Sequence, residues 1–322
     1  MTMKMNEDLY NELSKRVLIT HTDLDGIGCA LVFNKCFPDV KNYFVSYREA
    51  DKVTREVIKN DDTTSVMMSD MSLSDKELLE TVNKRGNFEM IDHHITAKWI
   101  AEKYEWSLVD TSKSATMLMY EVMSTRFNIQ DMLPLVELID DYDTWGRGKG
   151  PSDEAKNLNR LLGIYGLDRF FRRFLNKSTT KLDKTEKLLL ELEEEKIQDF
   201  IKAAVKSASI STDAMGNKYA MIVTDRYISE TCNAVLAYYK EIEYVMSINF
   251  VANEVSLRGR GNINLGEMAR GVGGGGHRQS AGFQIKHGSQ LRMVLACQGS
   301  CPVTEQLKTI IKEMEGNDGQ RS

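Results

Sequence analysis

The sequence predicts an α/β protein with a doubly wound, mostly parallel sheet in its N-terminal domain and a smaller α/β domain at its C-terminus, joined by a long helix. Two observations support this fold class. Short β-rich runs alternate with helical stretches in the first half, and the alternation resumes after a long amphipathic stretch. At 322 residues the chain also exceeds what one hydrophobic core usually serves. The predicted boundaries give a first domain at 1–175, a helical connector at 176–215 and a second domain at 216–322.

The first half contains five runs with the composition of buried strands. They are Arg16 to Thr20, Tyr43 to Ser46, Ser65 to Ser69, Phe88 to Ile91 and Ser107 to Val109. The segments between them carry apolar residues at spacings of three and four, which is typical of helices, and Ser74 and Ser114 are placed to cap two helix starts. This alternation predicts parallel strands with helices on both faces of the sheet.

The second half begins with a long predicted helix, Leu182 to Val205, whose apolar residues follow one stripe. A smaller α/β unit follows it. Its predicted strands are Tyr219 to Thr224, Tyr244 to Phe250, Glu254 to Arg258 and Gly282 to Lys286, and its predicted helices are Glu230 to Tyr239 and Leu265 to Arg270.

Composition excludes several classes of function. Charged residues make up 28% of the chain, the apolar runs are too short to cross a bilayer, and no secretory signal is recognisable, so we expect a cytoplasmic protein without a membrane partner. The five cysteines form no CxxC pair and indicate reduced thiols. A net charge of −5 disfavours broad affinity for long duplex nucleic acid, so any nucleic-acid site must be local.

Acidic and histidine residues follow four of the predicted elements. They are Asp23 and Asp25, then Asp70, then Asp92, His93 and His94, and finally Asp140, Asp141 and Asp143. Because ligands bind beyond the carboxyl ends of parallel strands, these groups are expected to converge. Carboxylates with one or two imidazoles suit Mn²⁺ or Mg²⁺. Asp23 and Asp25 judged alone have a simpler alternative, in which they only cap the following helix.

The glycine run Gly273 to Gly276, followed by His277, has two interpretations. It lacks the ending of a P-loop, and the neighbouring glycines do not match a dinucleotide-binding fingerprint. A flexible linker is one interpretation. The other is a substrate loop, because the run adjoins a predicted helix and glycines allow close approach of backbone to a phosphate or base.

These motifs together resemble those of the DHH phosphoesterase superfamily, which includes RecJ nucleases, nano-RNases and family II pyrophosphatases. The motif His21 to Gly26 and the triplet Asp92 to His94 carry the resemblance in the first half. Val255 to Arg258 and Gly273 to Phe283 are similar to the DHH-associated substrate domain. The resemblance covers Val17 to Ile285 and is strongest to the oligoribonuclease (nano-RNase) group.

The resemblance implies roles for individual residues. Asp23 and Asp25 would each bind one of two Mn²⁺ ions, and Asp70 would bridge them. Many family members have a metal-binding histidine where this chain has Ile19, so His21 either replaces that ligand or only lines the site. His93 would also bind metal, as would Asp141 or alternatively Asp140. Asp92 and His94 would be catalytic residues. The residues that would bind the substrate are Arg258, Gly274, Gly275, Gly276 and His277.

The function implied is that of a manganese-dependent phosphodiesterase or exonuclease, with Mg²⁺ as the alternative cation. Two cations would activate a water molecule for attack on phosphorus. Short single-stranded oligonucleotides, including linear dinucleotides, would be cut to nucleoside 5′-monophosphates. The alternatives are a phosphoadenosine phosphate phosphatase, an inorganic pyrophosphatase, or a non-catalytic nucleotide-binding module. RNA or DNA preference, cleavage polarity and oligomeric state stay open, a homodimer being one option.

Overall fold

A computed structural model describes residues 15–59 and 65–285. The chain divides into two compact units between Glu191 and Leu192. This division falls inside a long helix, Lys184–Ser207, so the boundaries expected at residues 175 and 216 stay predictions. The predicted fold class is confirmed: a parallel sheet lies in the first unit and a second, mixed sheet lies in the second unit.

The first unit contains, in its described residues, a five-stranded sheet of order β2-β1-β3-β4-β5. Its strands are β1 (Arg16–Thr20), β2 (Lys41–Phe44), β3 (Ser65–Ser69), β4 (Phe88–Asp92) and β5 (Ser107–Val109). Every pair of neighbours is parallel, and Thr20 pairs with both Phe44 and Ser69. All five strands therefore end at the same edge of the sheet.

Helices cover both faces of this sheet, as the sequence predicts. The helices of the first unit are α1 (Leu24–Cys36), α2 (Ala50–Ile58), α3 (Lys76–Arg85), α4 (Lys98–Lys103), α5 (Ala115–Ser124), α6 (Leu133–Asp143) and α7 (Asp153–Asn176). Leu18 of β1 packs with residues of α1, α5, α6 and α7. Its neighbours Val17 and Ile19 point to the other face and pack with residues of α2, α3 and α4. The alternation of strand side chains thus produces two cores.

Side-chain caps begin four of these helices, α1, α3, α5 and α7. Asp23 accepts a hydrogen bond from the N–H of Gly26 at the start of α1, and Ser114 accepts one from Met117 at the start of α5. The expectation that Ser74 caps α3 is wrong, because Asp75 accepts from the first-turn N–H groups of that helix. Ser74 instead donates to Asp51.

The second unit contains a six-stranded sheet within its described residues, of order β10-β11-β9-β8-β7-β6. Its elements, with the long helix α8 (Lys184–Ser207) that crosses the division, are β6 (Ser209–Thr212), β7 (Lys218–Val223), α9 (Ile228–Tyr238), β8 (Tyr244–Asn249), β9 (Glu254–Gly259), α10 (Leu265–Arg270), β10 (Gly275–Gly276) and β11 (Ser280–Gln284). Only β7 and β8 pair in parallel among these neighbours.

The glycine run is part of this sheet, so the linker interpretation is wrong. Gly275 pairs with Gly282 in β11, and the backbone N–H of Gly274 donates to Ala269 at the end of α10. A Cβ atom at Gly274 would lie 2.2 Å from the carbonyl oxygen of Gly282. Only glycine therefore lets the run approach β11 this closely.

No helix in the described parts of the chain has the length and apolarity needed to cross a membrane.

Candidate metal centre

The candidate site lies at the edge of the first sheet where its strands end. His21 follows β1, Asp70 follows β3 and His93 follows β4. Because β3 pairs with both β1 and β4 in parallel, the loops after these three strands are neighbours. The fold thereby brings together residues that are far apart in the sequence.

A tight turn between β1 and α1 places the first two acidic residues. A Cβ atom at Gly26 would lie 2.3 Å from the carbonyl oxygen of His21, so this turn requires glycine. Behind it, Thr20 donates its hydroxyl to the carbonyl of Gly26 over 3.0 Å. Asp23 Oδ2 lies 2.9 Å from His21 Nδ1. Burial opposes ionisation of Asp23, but His21 and the N–H of Gly26 outweigh it and lower its pKa to about 2.

Asp25 is buried against the start of α5. Its two carboxylate oxygens accept hydrogen bonds from the backbone N–H groups of Ala115 and Thr116, each over 2.8 Å. Burial raises the pKa of Asp25, and His93, whose Nε2 lies 3.7 Å from Asp25 Oδ2, opposes that rise. The positive end of the helix dipole also favours the charged form at this position. Capping and metal binding are therefore compatible roles for Asp25.

Asp70 occupies the centre of the cluster in a strained conformation. Its φ of 56° is left-handed, which costs a residue with a Cβ atom about 1–2 kcal/mol. Its Oδ1 lies 3.4 Å from His93 Nε2, and its Oδ2 lies 4.0 Å from His21 Nδ1. Burial raises the pKa of Asp70 well above its usual range, and Asp23 and Asp25 raise it further. Oδ2 is buried without a hydrogen-bond partner in the described chain.

The fourth acidic cluster contributes Asp143, which the sequence places in that cluster but which was not among the residues expected to bind metal. Asp143 Oδ2 lies 3.4 Å from His93 Nδ1 and is buried with no hydrogen-bond partner among the described residues. Burial and the charges of Asp25 and Asp23 raise the pKa of Asp143 to about 9. Its signal was helical spacing, because Asp143 follows the buried Val136 and Ile139 by seven and four residues in α6.

The two residues considered for that position have other partners in the structure. Asp141 Oδ2 accepts a hydrogen bond from the backbone N–H of Ser152 over 2.8 Å. Asp140 accepts from the N–H of Ser114 over 2.8 Å and from the guanidinium of Arg147 over 2.7 Å. Neither belongs to the groups of metal-binding side chains in the described chain. The structure therefore brings Asp143, and not Asp141 or Asp140, to the cluster.

Asp92 and His94 form a hydrogen-bonded pair beside the cluster. Asp92 is fully buried, and its Oδ1 accepts from the backbone N–H of His93 over 2.8 Å and lies 2.7 Å from His94 Nδ1. Burial lowers the pKa of His94, but the hydrogen bond with Asp92 outweighs it and gives a net rise. His94 is thus held in one orientation and is protonated more readily than an ordinary histidine. Burial has the opposite net result for His93, whose pKa is lowered.

Tyr47 is a second residue that the sequence reasoning missed. Its ring stacks on His21 at a centroid distance of 4.3 Å, and its hydroxyl lies 3.2 Å from His94 Nε2. It follows β2, the strand next to β1. An aromatic residue directly after the predicted strand Tyr43 to Ser46 was the available signal. Tyr47, which follows the neighbouring strand, therefore contacts two histidines of the site.

Among the described residues, three groups of side chains at this edge could each hold a metal ion, because the ligand atoms within each group lie within 4.8 Å of one another. They are His21 with Asp23 and Asp70, Asp25 with His93 and Asp143, and Asp70 with Asp92, His93 and His94. Buried carboxylate oxygens without hydrogen-bond partners are costly unless a cation or proton meets them. Carboxylate oxygens together with imidazole nitrogens are ligands of divalent cations, so the residues present fit a metal ion of that charge.

The predicted substrate residues lie together on the last strands of the second unit. Arg258 in β9 pairs in register with Ser280 in β11 and donates to the Ser229 hydroxyl over 3.2 Å. His277 follows β10 and is exposed, and its backbone N–H donates to the Ser280 carbonyl over 2.7 Å to close a hairpin turn. Gly276 has a φ of 135°, which a larger residue would rarely adopt.

Known proteins show similarity to both halves of the chain. Oligoribonuclease NrnB of Bacillus subtilis (strain 168) is 27% identical over 83% of this chain and 72% of the relative. A 3′,5′-cyclic-nucleotide phosphodiesterase of Helicobacter pylori (strain ATCC 700392 / 26695) is 26% identical over 83% of this chain and 92% of the relative.

Among solved structures, RecJ of Thermus thermophilus in complex with Mn²⁺ has a TM-score of 0.57 at 12% identity. The likeness covers 88% of this chain and 51% of RecJ and concerns the fold alone. A family model, that of the DHH family N-terminal domain, matches residues 15–140. These residues contain β1 to β5 and every cluster residue named above except Asp143. The segment 15–140 is therefore an N-terminal domain of the DHH family.

Proposed function

We propose that this chain is a metal-dependent phosphodiesterase that hydrolyses short oligonucleotides to nucleoside 5′-monophosphates. The observation that carries the proposal is the convergence of Asp25, Asp70, His93 and Asp143 at the strand ends, with buried oxygens of Asp70 and Asp143 unpartnered within the described residues. Phosphoryl transfer is catalysed mainly by positioning and by electrostatic stabilisation, which such a cluster with bound cations supplies. The oligoribonuclease and phosphodiesterase relatives support the same class of reaction.

We assign the cluster to two divalent cations, with Mn²⁺ preferred and Mg²⁺ as the alternative. One set of ligands is His21, Asp23 and Asp70, and the other is Asp25, His93 and Asp143, with Asp70 near enough to His93 to serve both sets. Bound cations of this kind lower the pKa of a coordinated water and polarise phosphoryl oxygens. The lowered pKa of His93 keeps its ring neutral, which is the form that binds a metal.

His94 is assigned to the phosphate rather than to a cation. Asp92 accepts the Nδ1–H of His94, so the second ring proton lies at Nε2 when the imidazole is charged. The raised pKa of His94 increases the charged fraction near neutral pH. A cationic Nε2–H would donate to a non-bridging phosphoryl oxygen in place of the Tyr47 hydroxyl that lies 3.2 Å away, and negative charge increases on that phosphoryl oxygen in the transition state.

The substrate class is inferred from the second unit and from charge. The glycine hairpin presents backbone without side chains, and Arg258 and His277 lie on the strands and turn around it. We assign this surface to the non-scissile part of the substrate. The net charge of −5 leaves few cationic contacts for the phosphates of a long strand. We therefore expect catalytic efficiency to be highest for substrates of roughly two to five nucleotides.

The test is a substrate panel measured with metal-stripped protein to which Mn²⁺ or Mg²⁺ is added back. The panel contains RNA and DNA strands of increasing length, a linear dinucleotide, a 3′,5′-cyclic nucleotide, phosphoadenosine phosphate and pyrophosphate. We expect kcat/KM to be highest for the short strands and to depend on the added cation. The cyclic nucleotide is the second candidate, because one relative is a cyclic-nucleotide phosphodiesterase.

Two variants purified in the same way control for contaminating nucleases. Asp70→Asn should be inactive, whereas Asp110→Asn should retain activity. Asp110 follows β5 at the same edge, but its carboxylate accepts from the loop N–H of Ser112 and belongs to none of the candidate ligand groups in the described residues. Equal activity in the two variants, or efficiency that increases steadily to long strands, would overturn the proposal.

A further inference from the structure

Trp145 is a large aromatic residue exposed beside the candidate metal centre. It lies two residues after Asp143, and 44% of its surface is accessible. Within 15–59 and 65–285, no aromatic ring stacks on its indole and no acceptor binds its Nε1–H. A single exposed aromatic residue is common on protein surfaces and would need no explanation by itself. Trp145 differs from such residues in its backbone conformation.

The loop that carries Trp145 is held in an unfavourable conformation. Trp145 and Arg147 have φ values of 52° and 51°, in the left-handed region that residues with a Cβ atom rarely adopt. The side chain of Arg147 ties the loop to the Ser112 carbonyl and to Asp140, each over 2.7 Å. The carbonyl of Trp145 accepts from Gly150 over 3.1 Å. Such outliers persist where surrounding contacts determine them, and they cluster at ligand sites.

The surroundings of the loop favour a neutral aromatic ligand over a phosphate. Thr144 and Gly146, on either side of Trp145, line a surface recess of about 290 Å³ together with Met117, Glu137, Asp140, Asp141 and Arg147. Three of these lining residues are acidic and one is basic. The guanidinium of Arg147 already contacts Asp140 and the Ser112 carbonyl. A phosphate would therefore meet net negative charge here, whereas a nucleobase brings an uncharged π face and hydrogen-bond donors.

We infer that Trp145 is a stacking platform for a nucleobase of the substrate, next to the cluster that holds the scissile phosphate. The inference rests on the proposed function and adds a base-binding subsite to it. Stacking on an aromatic side chain recognises any base, because every base has a π face. The subsite would thus select nucleotides over other phosphoesters without selecting a sequence.

The test compares Trp145→Ala and Trp145→Phe on dinucleotides that carry both bases or lack one base at either end. Loss of one stacking contact should decrease kcat/KM by roughly 5- to 150-fold for the complete dinucleotide in Trp145→Ala. The same variant should match the unaltered protein, within about twofold, on one of the two abasic substrates. Trp145→Phe keeps a π face and should retain most of the efficiency. Trp99→Ala, which removes another exposed indole of the same unit, is the matched control.

Fluorescence gives a second readout that does not require turnover. Titration with a nucleoside 5′-monophosphate should quench tryptophan emission in the unaltered protein, and the quenching should be absent in Trp145→Phe and with ribose 5-phosphate. An equal loss on complete and abasic substrates would show a structural role of the loop and overturn the inference. Unchanged kinetics and quenching in both variants would also overturn it. If the unaltered protein cleaves no oligonucleotide, the proposed function fails, and the titration alone then decides for or against the base site.

Discussion

The two units of this protein present functional residues in opposite ways. The first unit gathers charged side chains from three loops at the common end of parallel strands and from the end of α6, and Asp25 and Asp70 among them are almost fully buried. The second unit presents backbone at the edge of a mainly antiparallel sheet, where glycines replace side chains and His277 is exposed. A parallel sheet concentrates charge at one edge, whereas a glycine hairpin provides a nearly uncharged surface whose backbone a ligand can approach closely.

This difference predicts different consequences of substitution in the two units. In the first unit, buried carboxylates repel one another, so each ligand affects the charge of its neighbours and cation binding. In the second unit, the proposed substrate residues are more exposed, so single substitutions there should weaken binding without stopping chemistry.

Asp70→Asn should produce the largest loss. The amide keeps the size of the side chain but removes the charge that both proposed cations would share. We expect kcat to fall by roughly a hundredfold or more in saturating Mn²⁺, with an unchanged circular dichroism spectrum. More than about a tenth of the original activity would contradict a shared ligand at this position.

Asp143→Asn and Asp141→Asn form a matched pair that tests the fourth acidic cluster. Asp143 lies 3.4 Å from His93, whereas Asp141 accepts from the N–H of Ser152. Apparent Mn²⁺ affinity and activity should each fall by roughly 10- to 100-fold in Asp143→Asn and change by less than about threefold in Asp141→Asn. The reverse order would restore Asp141 as the ligand. The measurement is activity against Mn²⁺ concentration.

The cluster should also make the stability of the metal-stripped protein depend on pH. Asp143 has a folded pKa of about 9, above its ordinary value of 3.8, so the folded state holds more protons between these limits. Its contribution is therefore complete below about pH 4 and is lost as the pH rises towards 9, by at most about 1.4 kcal/mol per pH unit.

Thermal unfolding in chelator from pH 5 to 8 measures this effect. The midpoint should decrease with increasing pH, Asp143→Asn should flatten the slope, and added Mn²⁺ should raise the midpoint most at the higher pH. A midpoint that stays constant or increases across this range in chelator would show that the carboxylates do not repel one another.

His277→Ala should have the smallest effect, because the side chain belongs to the exposed glycine hairpin. Loss of the hydrogen bond that the proposed substrate role gives His277 should raise KM by roughly tenfold and leave kcat within about threefold. Gln279→Ala, in the same turn, is the control. A collapse of the single-turnover rate at saturating substrate, with unchanged affinity, would assign His277 to the chemical step and remove the contrast between the units.

Much of the first unit could be predicted from the sequence because its signals are local. Buried parallel strands are short and apolar, and Asp23, Asp25, Asp70 and His93 follow them directly in the chain. Once a parallel sheet is expected, the common edge follows from the connectivity. The glycine run likewise indicates close backbone approach, although its pairing with β11 required the structure.

The tertiary structure decided what depends on side-chain direction and on contacts between distant segments. Adjacent residues of a helix point about 100° apart, so the run from Asp140 to Asp143 offers several candidates, and only the packing of α6 brings Asp143 to His93. Tyr47 joins His21 and His94 because β2 pairs beside β1, a neighbour relation that strand composition does not determine. The left-handed backbones of Asp70 and Trp145 are similarly set by tertiary contacts, because no local preference of either residue type requires them. The chain sequence by itself thus determined which elements form and which residue types end them, whereas packing selected the side chains that meet.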